Sequence, residues 1–349
     1  MFTPLTILLA ILGISLLVVV HETGHYVAAR AFGMRVLRYS IGFGQVLWRY
    51  QPKGSPTVFQ VCAIPFLAYV QIDGMNPMER VEPDDPQLFA NKSIVARIVT
   101  IGAGPFANYL LASVIVFGLT LTYGVPVPAE HPLSVGEVQP SSPAAAAGIR
   151  PGDVFLEANG KPVASVSKLI GVTAPRGGQE TVYRLRRGEE TLEVTLTPEA
   201  TGEGEPARVG VAFGGVRRSA GMAEAIGIAI ATPIDETVRT VERLSAIVNR
   251  GSLNGLQVSG PVGMTKMMAQ SASLGPQYYL RLLYLISIAL GFFNLLPVPA
   301  LDGGRLVFLG YELITRRRAN EKVEAAIHTV GLLFLLGVLV LVTYQDFLR

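Results

Sequence analysis

The stretch ILLAILGISLLVVVHETGH, residues 7–25, decides how the chain is interpreted. Its apolar part belongs to a predicted helix at 2–32 that is long enough to cross a hydrocarbon core of about 30 Å. His21 and His25 are four residues apart at the end of the run and therefore share a helix face. Two imidazoles so placed are typical zinc ligands, with Glu22 acting on a zinc-bound water. The alternative is that the histidines only cap an apolar helix.

The composition is that of an integral membrane protein. Hydrophobic residues make up 50% of the 349 residues and charged residues 16%, a balance too apolar for an ordinary soluble domain. Four windows are long enough to be membrane spans, at 2–32, 94–123, 278–296 and 325–347. The first has no Lys or Arg before its apolar run, so we expect an uncleaved helix. The predicted membrane core has two halves, at 1–125 and 276–349. An insert at 126–215 and a linker at 216–275 separate them.

Basic residues concentrate in the loops on one side of these spans. They are Arg30, Arg35, Arg38, Arg49, Lys53, Lys92, Arg97, Arg305, Arg316, Arg317, Arg318 and Lys322. The positive-inside rule makes these loops cytoplasmic, so the insert and both termini are expected outside and the zinc site toward the cytoplasmic side. A nucleic-acid partner is not expected, because basic and acidic residues alternate within the insert.

Residues 35–72, between the first two spans, predict a β-hairpin. Its strands are apolar on nearly both faces, as at Val58, Phe59, Ile64, Phe66 and Leu67. We therefore expect the hairpin to dip toward the membrane beside the active site, where protein or a wet cavity must satisfy its backbone. The single cysteine, Cys62, excludes an intrachain disulfide and a thiolate cluster, which leaves His and carboxylate as zinc ligands.

A catalytic zinc normally takes three protein ligands, so one more is required. The candidates at membrane depth are Asp302, Glu312 and His328. Asp302 is favoured because two prolines and two glycines break an apolar helix over 294–304, and because an Asp in a membrane needs a positive partner. Its alternative role is as the N-cap of a helix at 303–315.

The insert shows short alternating patterns typical of strands, with one short helix. Residues 142–153 followed by 159–163 resemble the PDZ domains of bacterial proteases. The resemblance implies a small β-rich, α+β module that binds extended peptide ends along a strand edge. The alternative is a PDZ fold that only spaces or shields. Residues 220–249 predict an amphipathic helix that lies on the outer membrane surface or, equally, packs against the PDZ domain.

Over almost its whole length the chain resembles the site-2 protease family of intramembrane zinc metalloproteases, in the bacterial regulator-of-sigma-E protease type. Besides the His-Glu-x-x-His segment, the matching pieces are SIGFG at 40–44, IP at 64–65 with Gly74, FANK at 89–92, GPFAN at 104–108, the insert, GPVG at 260–263 and residues 294–304. The resemblance implies a polytopic α-helical protein with Zn²⁺ as its cofactor. It implies Glu22 as the catalytic base and His21, His25 and Asp302 as the zinc ligands, with Asp302 in a Leu-Asp-Gly loop at 301–303. It also implies Asn294 as a substrate-binding residue.

One alternative role and one departure from the family pattern stay open. Asn294 has the alternative role of capping the broken third helix. The best-studied members have tandem PDZ domains, whereas the insert here has room for one.

The leading hypothesis is an intramembrane zinc endopeptidase of a bacterial inner membrane. Its expected substrates are single-span membrane proteins, such as anti-sigma factors or remnant signal peptides, shortened first by an upstream site-1 protease and cut within or near their transmembrane segment. The alternative is a catalytically silent PDZ-bearing membrane scaffold with a structural zinc, which Glu22 argues against because a structural site needs no general base. A transporter is disfavoured because the spans show no inverted repeat.

Overall fold

The computed structural model of the protein describes residues 3–76, 82–127, 131–200, 206–214, 217–250 and 260–348. The remaining residues include the predicted start of the first span, short parts of the insert, residues 251–259 of the linker and the last residue; the side chains of Phe66 and Leu67 also lie outside the described set. The chain forms two compact units. One combines Met1–Phe117 with Gly227–Arg349, and the other is Gly118–Ile226.

The helices and strands follow one another in a simple order. They are α1 (Pro4–Ala31), β1 (Val36–Tyr50), β2 (Val58–Ile72), α2 (Ile94–Tyr123), β3 (Val125–Pro126), β4 (Val135–Val138), α3 (Pro143–Ala146), β5 (Val154–Ala158), β6 (Lys161–Pro162), α4 (Val166–Thr173), β7 (Thr181–Arg187), β8 (Glu190–Leu196), β9 (Val211–Phe213), β10 (Arg217–Arg218), α5 (Met222–Arg250), α6 (Pro261–Leu274), α7 (Pro276–Leu295), α8 (Asp302–Thr315) and α9 (Glu321–Leu348).

Among the described residues, four helices are long and apolar enough to cross a membrane. They are α1, α2, α7 and, over Glu321–Asp346, α9. The predicted polytopic α-helical membrane fold is confirmed. α7 begins two residues before the predicted span because Pro276 occupies its first turn, where a missing N–H costs nothing.

The helix α1 presents one face to the protein and the other to its surroundings. Thr3 caps its N-terminus by accepting a hydrogen bond from the N–H of Thr6 at 3.3 Å. The buried face comprises Thr6, Ala10, Gly13, Leu17, His21, His25 and Ala29. Leucines at positions 5, 8, 12 and 16 are exposed, as expected for a helix that meets hydrocarbon instead of water. Both histidines therefore point into the protein.

The strands β1 and β2 form a sheet that folds back on itself. Tyr39 pairs with both Val70 and Phe59, so the first half of β1 contacts both ends of β2. The bend requires Gly42, whose φ is +87° and whose missing Cβ leaves room for the carbonyls of Cys62 and Ile64. The second half of β1 is exposed along its length.

The second unit is the small β-rich, α+β module expected from the sequence. Its main sheet has the strand order β6-β5-β7-β8, and β4 pairs with β9 in a smaller sheet. Its core is built around Phe155 and Tyr183, both fully buried, with the Tyr183 hydroxyl 3.0 Å from that of Thr173. β3 and β10 pair antiparallel and bring Pro126 next to Arg217, so the two ends of the insert meet.

The predicted amphipathic helix is α5, which is continuous through Pro233. Ile226, Ile230, Ile234 and other apolar residues along it are exposed. Its middle contacts α2, because the Thr237 hydroxyl lies 2.8 Å from that of Tyr109. This contact with a candidate membrane span was not foreseen from the sequence.

Candidate metal centre

His21, His25 and Asp302 meet inside the first unit. Oδ2 of Asp302 lies 3.1 Å from Nε2 of His21 and 3.3 Å from Nε2 of His25, and the two Nε2 atoms are 3.2 Å apart. Ligands bound about 2.0–2.1 Å from a tetrahedral zinc are themselves about 3.3 Å apart, so this triangle has the size that zinc requires. Both histidines are buried.

The hydrogen bonding of the three side chains also fits a bound cation. Oδ2 of Asp302 is buried and makes no hydrogen bond with any described residue. A carboxylate oxygen in that state is costly unless a positive charge compensates it. Within the described part of the chain, these residues are the set of His, Cys, Asp and Glu that can hold a metal. Two imidazoles and a carboxylate suit zinc.

The close approach of α1 and α2 builds the pocket. A Cβ at Gly104 would overlap the imidazole of His25, and one at Gly24 would overlap the backbone carbonyl of Ala103. Nδ1 of His25 lies 2.9 Å from the carbonyl oxygen of Thr100 and donates its proton to it. Because Nδ1 then carries the proton, Nε2 keeps its lone pair for the metal.

Asn108 on α2 orients His21, as the carbonyl of Thr100 orients His25. Its amide is fully buried, with Nδ2 3.1 Å from Nδ1 of His21 and Oδ1 without a hydrogen bond to any described residue. The two ends of an amide are interchangeable by a half turn, after which Oδ1 accepts the Nδ1 proton of His21. The backbone carbonyl of Asn108 accepts a hydrogen bond from Ser287 at 2.8 Å. α2 thus orients both imidazoles.

Glu22 lies beside this centre and outside the triangle of donor atoms. Its Oε2 accepts a hydrogen bond from the backbone N–H of Val70 at 2.9 Å, so the end of β2 holds the carboxylate in place. A carboxylate next to two imidazoles that can bind a metal, and itself not part of the donor set, has the position of a general base.

The loop between α7 and α8 delivers Asp302. Asp302 is the first residue of α8, and the N-cap is Leu301, which makes no side-chain cap. The alternative role of Asp302 as an N-cap is therefore wrong. Gly303 packs against the carbonyls of Leu295 and Leu296, where a Cβ would overlap them. The glycines of the predicted helix break are needed for this close approach.

The other candidate residues have different partners. Both carboxylate oxygens of Glu312 accept from Arg97, at 3.0 and 2.6 Å. Nδ1 of His328 accepts from the backbone N–H of Ala300 at 2.9 Å. The side chain of Asn294 donates to the carbonyl of Leu290 in its own helix at 2.8 Å, so its substrate-binding role stays a prediction. The structure brings neither Glu312 nor His328 to the histidine pair.

Comparison with known proteins decides the family. Residues 9–338 match the family described as Peptidase family M50. The chain belongs to peptidase family M50. This M50 member is 32% identical over 341 residues to "Putative zinc metalloprotease all3971" of Nostoc sp., covering 95% of this chain and 93% of that protein. It is 31% identical over 377 residues to "Metalloprotease MmpA" of Caulobacter vibrioides, covering 96% and 94% respectively.

One solved structure matches the M50 chain over a shorter segment. It is the PDZ domain of the SdrC-like protein from Listeria monocytogenes, 19% identical with a TM-score of 0.22, covering 26% of this chain and 93% of that domain. A TM-score at that level does not establish a fold. The family match, together with the membrane helices, confirms the resemblance to the site-2 protease type and the expectation of a zinc metalloprotease.

Proposed function

We propose that this membrane metalloprotease hydrolyses single-span membrane proteins within or near their transmembrane segment. The observation that carries the proposal is the triangle of His21 and His25, on the candidate membrane span α1, and Asp302, at the start of α8, with Glu22 alongside. A zinc ion held there would polarise the scissile carbonyl and make a coordinated water acidic. The centre is built on helices α1, α2 and α8, so its natural substrates are chains that reach it through the bilayer.

The side chains divide the chemistry between them. Glu22 takes a proton from the attacking water and delivers it to the leaving amine, while the Val70 N–H keeps its carboxylate oriented. The carbonyl of Thr100 and the amide of Asn108 keep the imidazoles turned with Nε2 inward. A transmembrane substrate hides its amides in helical hydrogen bonds and must be partly unwound before attack. The neighbouring β1–β2 sheet offers backbone groups with which the opened segment pairs.

A catalytically silent scaffold with a structural zinc is the competing function. A closed structural site uses four protein ligands, whereas the described residues bring three donors together and place a carboxylate beside them. The open fourth position and Glu22 both favour catalysis.

The proposed orientation puts the loop between α8 and α9 in the cytoplasm of a bacterial cell and the insert outside. With Cys62→Ser as background, we expect single cysteines introduced by Arg317→Cys and Asn159→Cys to react differently in intact cells. Both positions are exposed. A maleimide that cannot cross the inner membrane should label position 159 and spare position 317 until the cells are lysed. Labelling of 317 alone would reverse the proposed topology.

The proposed role of the insert, a PDZ-type module, is to screen substrates, so that only those trimmed by an upstream site-1 protease reach the zinc. Deleting residues 128–214 should leave the zinc content unchanged, because the proposed ligands lie in the other unit. The pairing of Pro126 with Arg217 means that a short linker can close the gap. The expected result is that an untrimmed substrate is now cut as readily as a trimmed one.

The assay compares both substrates in membranes containing the full-length or the shortened enzyme, with zinc measured on the same preparations. Unchanged discrimination would assign screening to another element. Loss of cleavage of both substrates, with zinc retained, would show that the insert is needed for activity itself.

A further inference from the structure

We propose that His328 is a positioning residue for the zinc ligand Asp302, through a hydrogen bond to the loop that carries it. Nδ1 of His328, on α9, accepts the backbone N–H of Ala300 at 2.9 Å. Ala300 lies two residues before Asp302. The inference rests on the proposed zinc site and adds a part to it from a helix that supplies no ligand.

The backbone of the loop shows why such support is needed. Ala300 has a φ of +70°, in the left-handed region that a residue with a Cβ rarely adopts. A conformation of this kind persists only when the surrounding structure holds it. The bond from His328 fixes the peptide group at Ala300, and with it the direction in which the chain enters α8. The Asp302 carboxylate is aimed from that starting point.

α9 touches the same loop at a second place. Gly331 lies against Pro299, where a Cβ would overlap the proline ring and backbone. The His328 imidazole also contacts the ring of Phe308 on α8, with 5.6 Å between ring centroids. His328 therefore contacts both the loop and the helix that Asp302 begins. A shift of α9 would therefore change the position of Asp302 through these contacts.

The bond requires a neutral acceptor at the position of Nδ1. An asparagine at 328 can place its Oδ1 near that position, whereas a glutamine reaches toward the position of Nε2 and a leucine offers no acceptor. These three replacements separate the hydrogen bond from the volume of the side chain.

The test measures metal binding in the full chain purified in detergent, without a substrate. Zinc affinity comes from competition with a chelator, and ligand geometry from the visible absorption of the Co²⁺-substituted protein. His328→Leu should weaken zinc binding about 10- to 100-fold, the range for partners that orient a ligand, and change the Co²⁺ spectrum. His328→Asn should retain affinity within about 3-fold and keep the spectrum. His131→Leu, the same change in the insert, is the matched control.

Two results would overturn the proposal. One is wild-type affinity and spectrum in His328→Leu. The other is an equal loss in His328→Asn and His328→Leu, which would mean that packing and not the hydrogen bond matters. If His328→Leu does not accumulate, the test compares His328→Asn with His328→Gln. Weaker zinc binding is then expected only for His328→Gln. Failure of the zinc site itself would be distinct, because the wild type would then bind no zinc.

Discussion

Glu22→Gln should lower kcat for cleavage of a model transmembrane substrate by about 10²- to 10⁴-fold while the zinc content stays at the wild-type level. The amide keeps the shape of the side chain and still accepts the Val70 N–H, but it cannot take a proton from water. Glu22 is not one of the three donors that meet around the proposed metal position. Loss of activity without loss of zinc is therefore the expected signature of the base.

The measurement combines single-turnover cleavage in detergent or liposomes with metal analysis of the same protein. Glu242→Gln makes the same change at an exposed position on α5 and should have no effect. Substantial cleavage by Glu22→Gln would remove Glu22 from the mechanism, and a parallel loss of zinc would make it a ligand.

Asp302→Ala should weaken zinc binding by more than about 100-fold and abolish cleavage. The loss should exceed the 10- to 100-fold typical of residues that only orient a ligand, because a direct donor is removed. Neither Glu312 nor His328 can replace it without giving up its bond to Arg97 or to Ala300. Chelator competition checks this, with Asp235→Ala, at an exposed position of α5, as the control. Full zinc retention would exclude Asp302 as a ligand.

The parts of the site that could be predicted from the sequence have a local or a compositional cause. The helical period alone puts His21 and His25 on one face, and hydropathy alone marks the four spans. Asp302 stood out because a charged residue in a Pro- and Gly-broken apolar segment needs a positive partner.

The residues that orient these proposed ligands could not be predicted, since they depend on how helices pack. Thr100 contributes its backbone carbonyl, which every residue type has, so the sequence carries no signal for this contact. Asn108 is the last residue of the GPFAN motif at 104–108. Its partner, His21, follows only from the register of α1 against α2 that Gly24 and Gly104 permit. His328 carried a signal as a polar residue in an apolar helix, and the sequence could not say that its partner is a backbone amide.

The β-hairpin shows a similar limit. Segments rich in Val, Ile, Phe and Tyr and broken by Gly and Pro predicted two strands over 35–72, and the structure has strands there. Their doubled pairing, in which Tyr39 meets both Phe59 and Val70, comes from the bend at Gly42. A glycine in a strand indicates a bulge or bend, but not which backbone will approach it. The contact of Val70 with Glu22 was therefore beyond reach from the sequence.

The most direct test of the central claim, that His21, His25 and Asp302 jointly hold the catalytic zinc, is zinc K-edge X-ray absorption on the purified wild-type chain. We expect one zinc per chain, a first shell of nitrogen and oxygen at about 2.0–2.1 Å, and outer-shell scattering from two imidazoles. A sulfur shell, scattering from fewer than two imidazoles, or a spectrum unchanged by Asp302→Ala would contradict it.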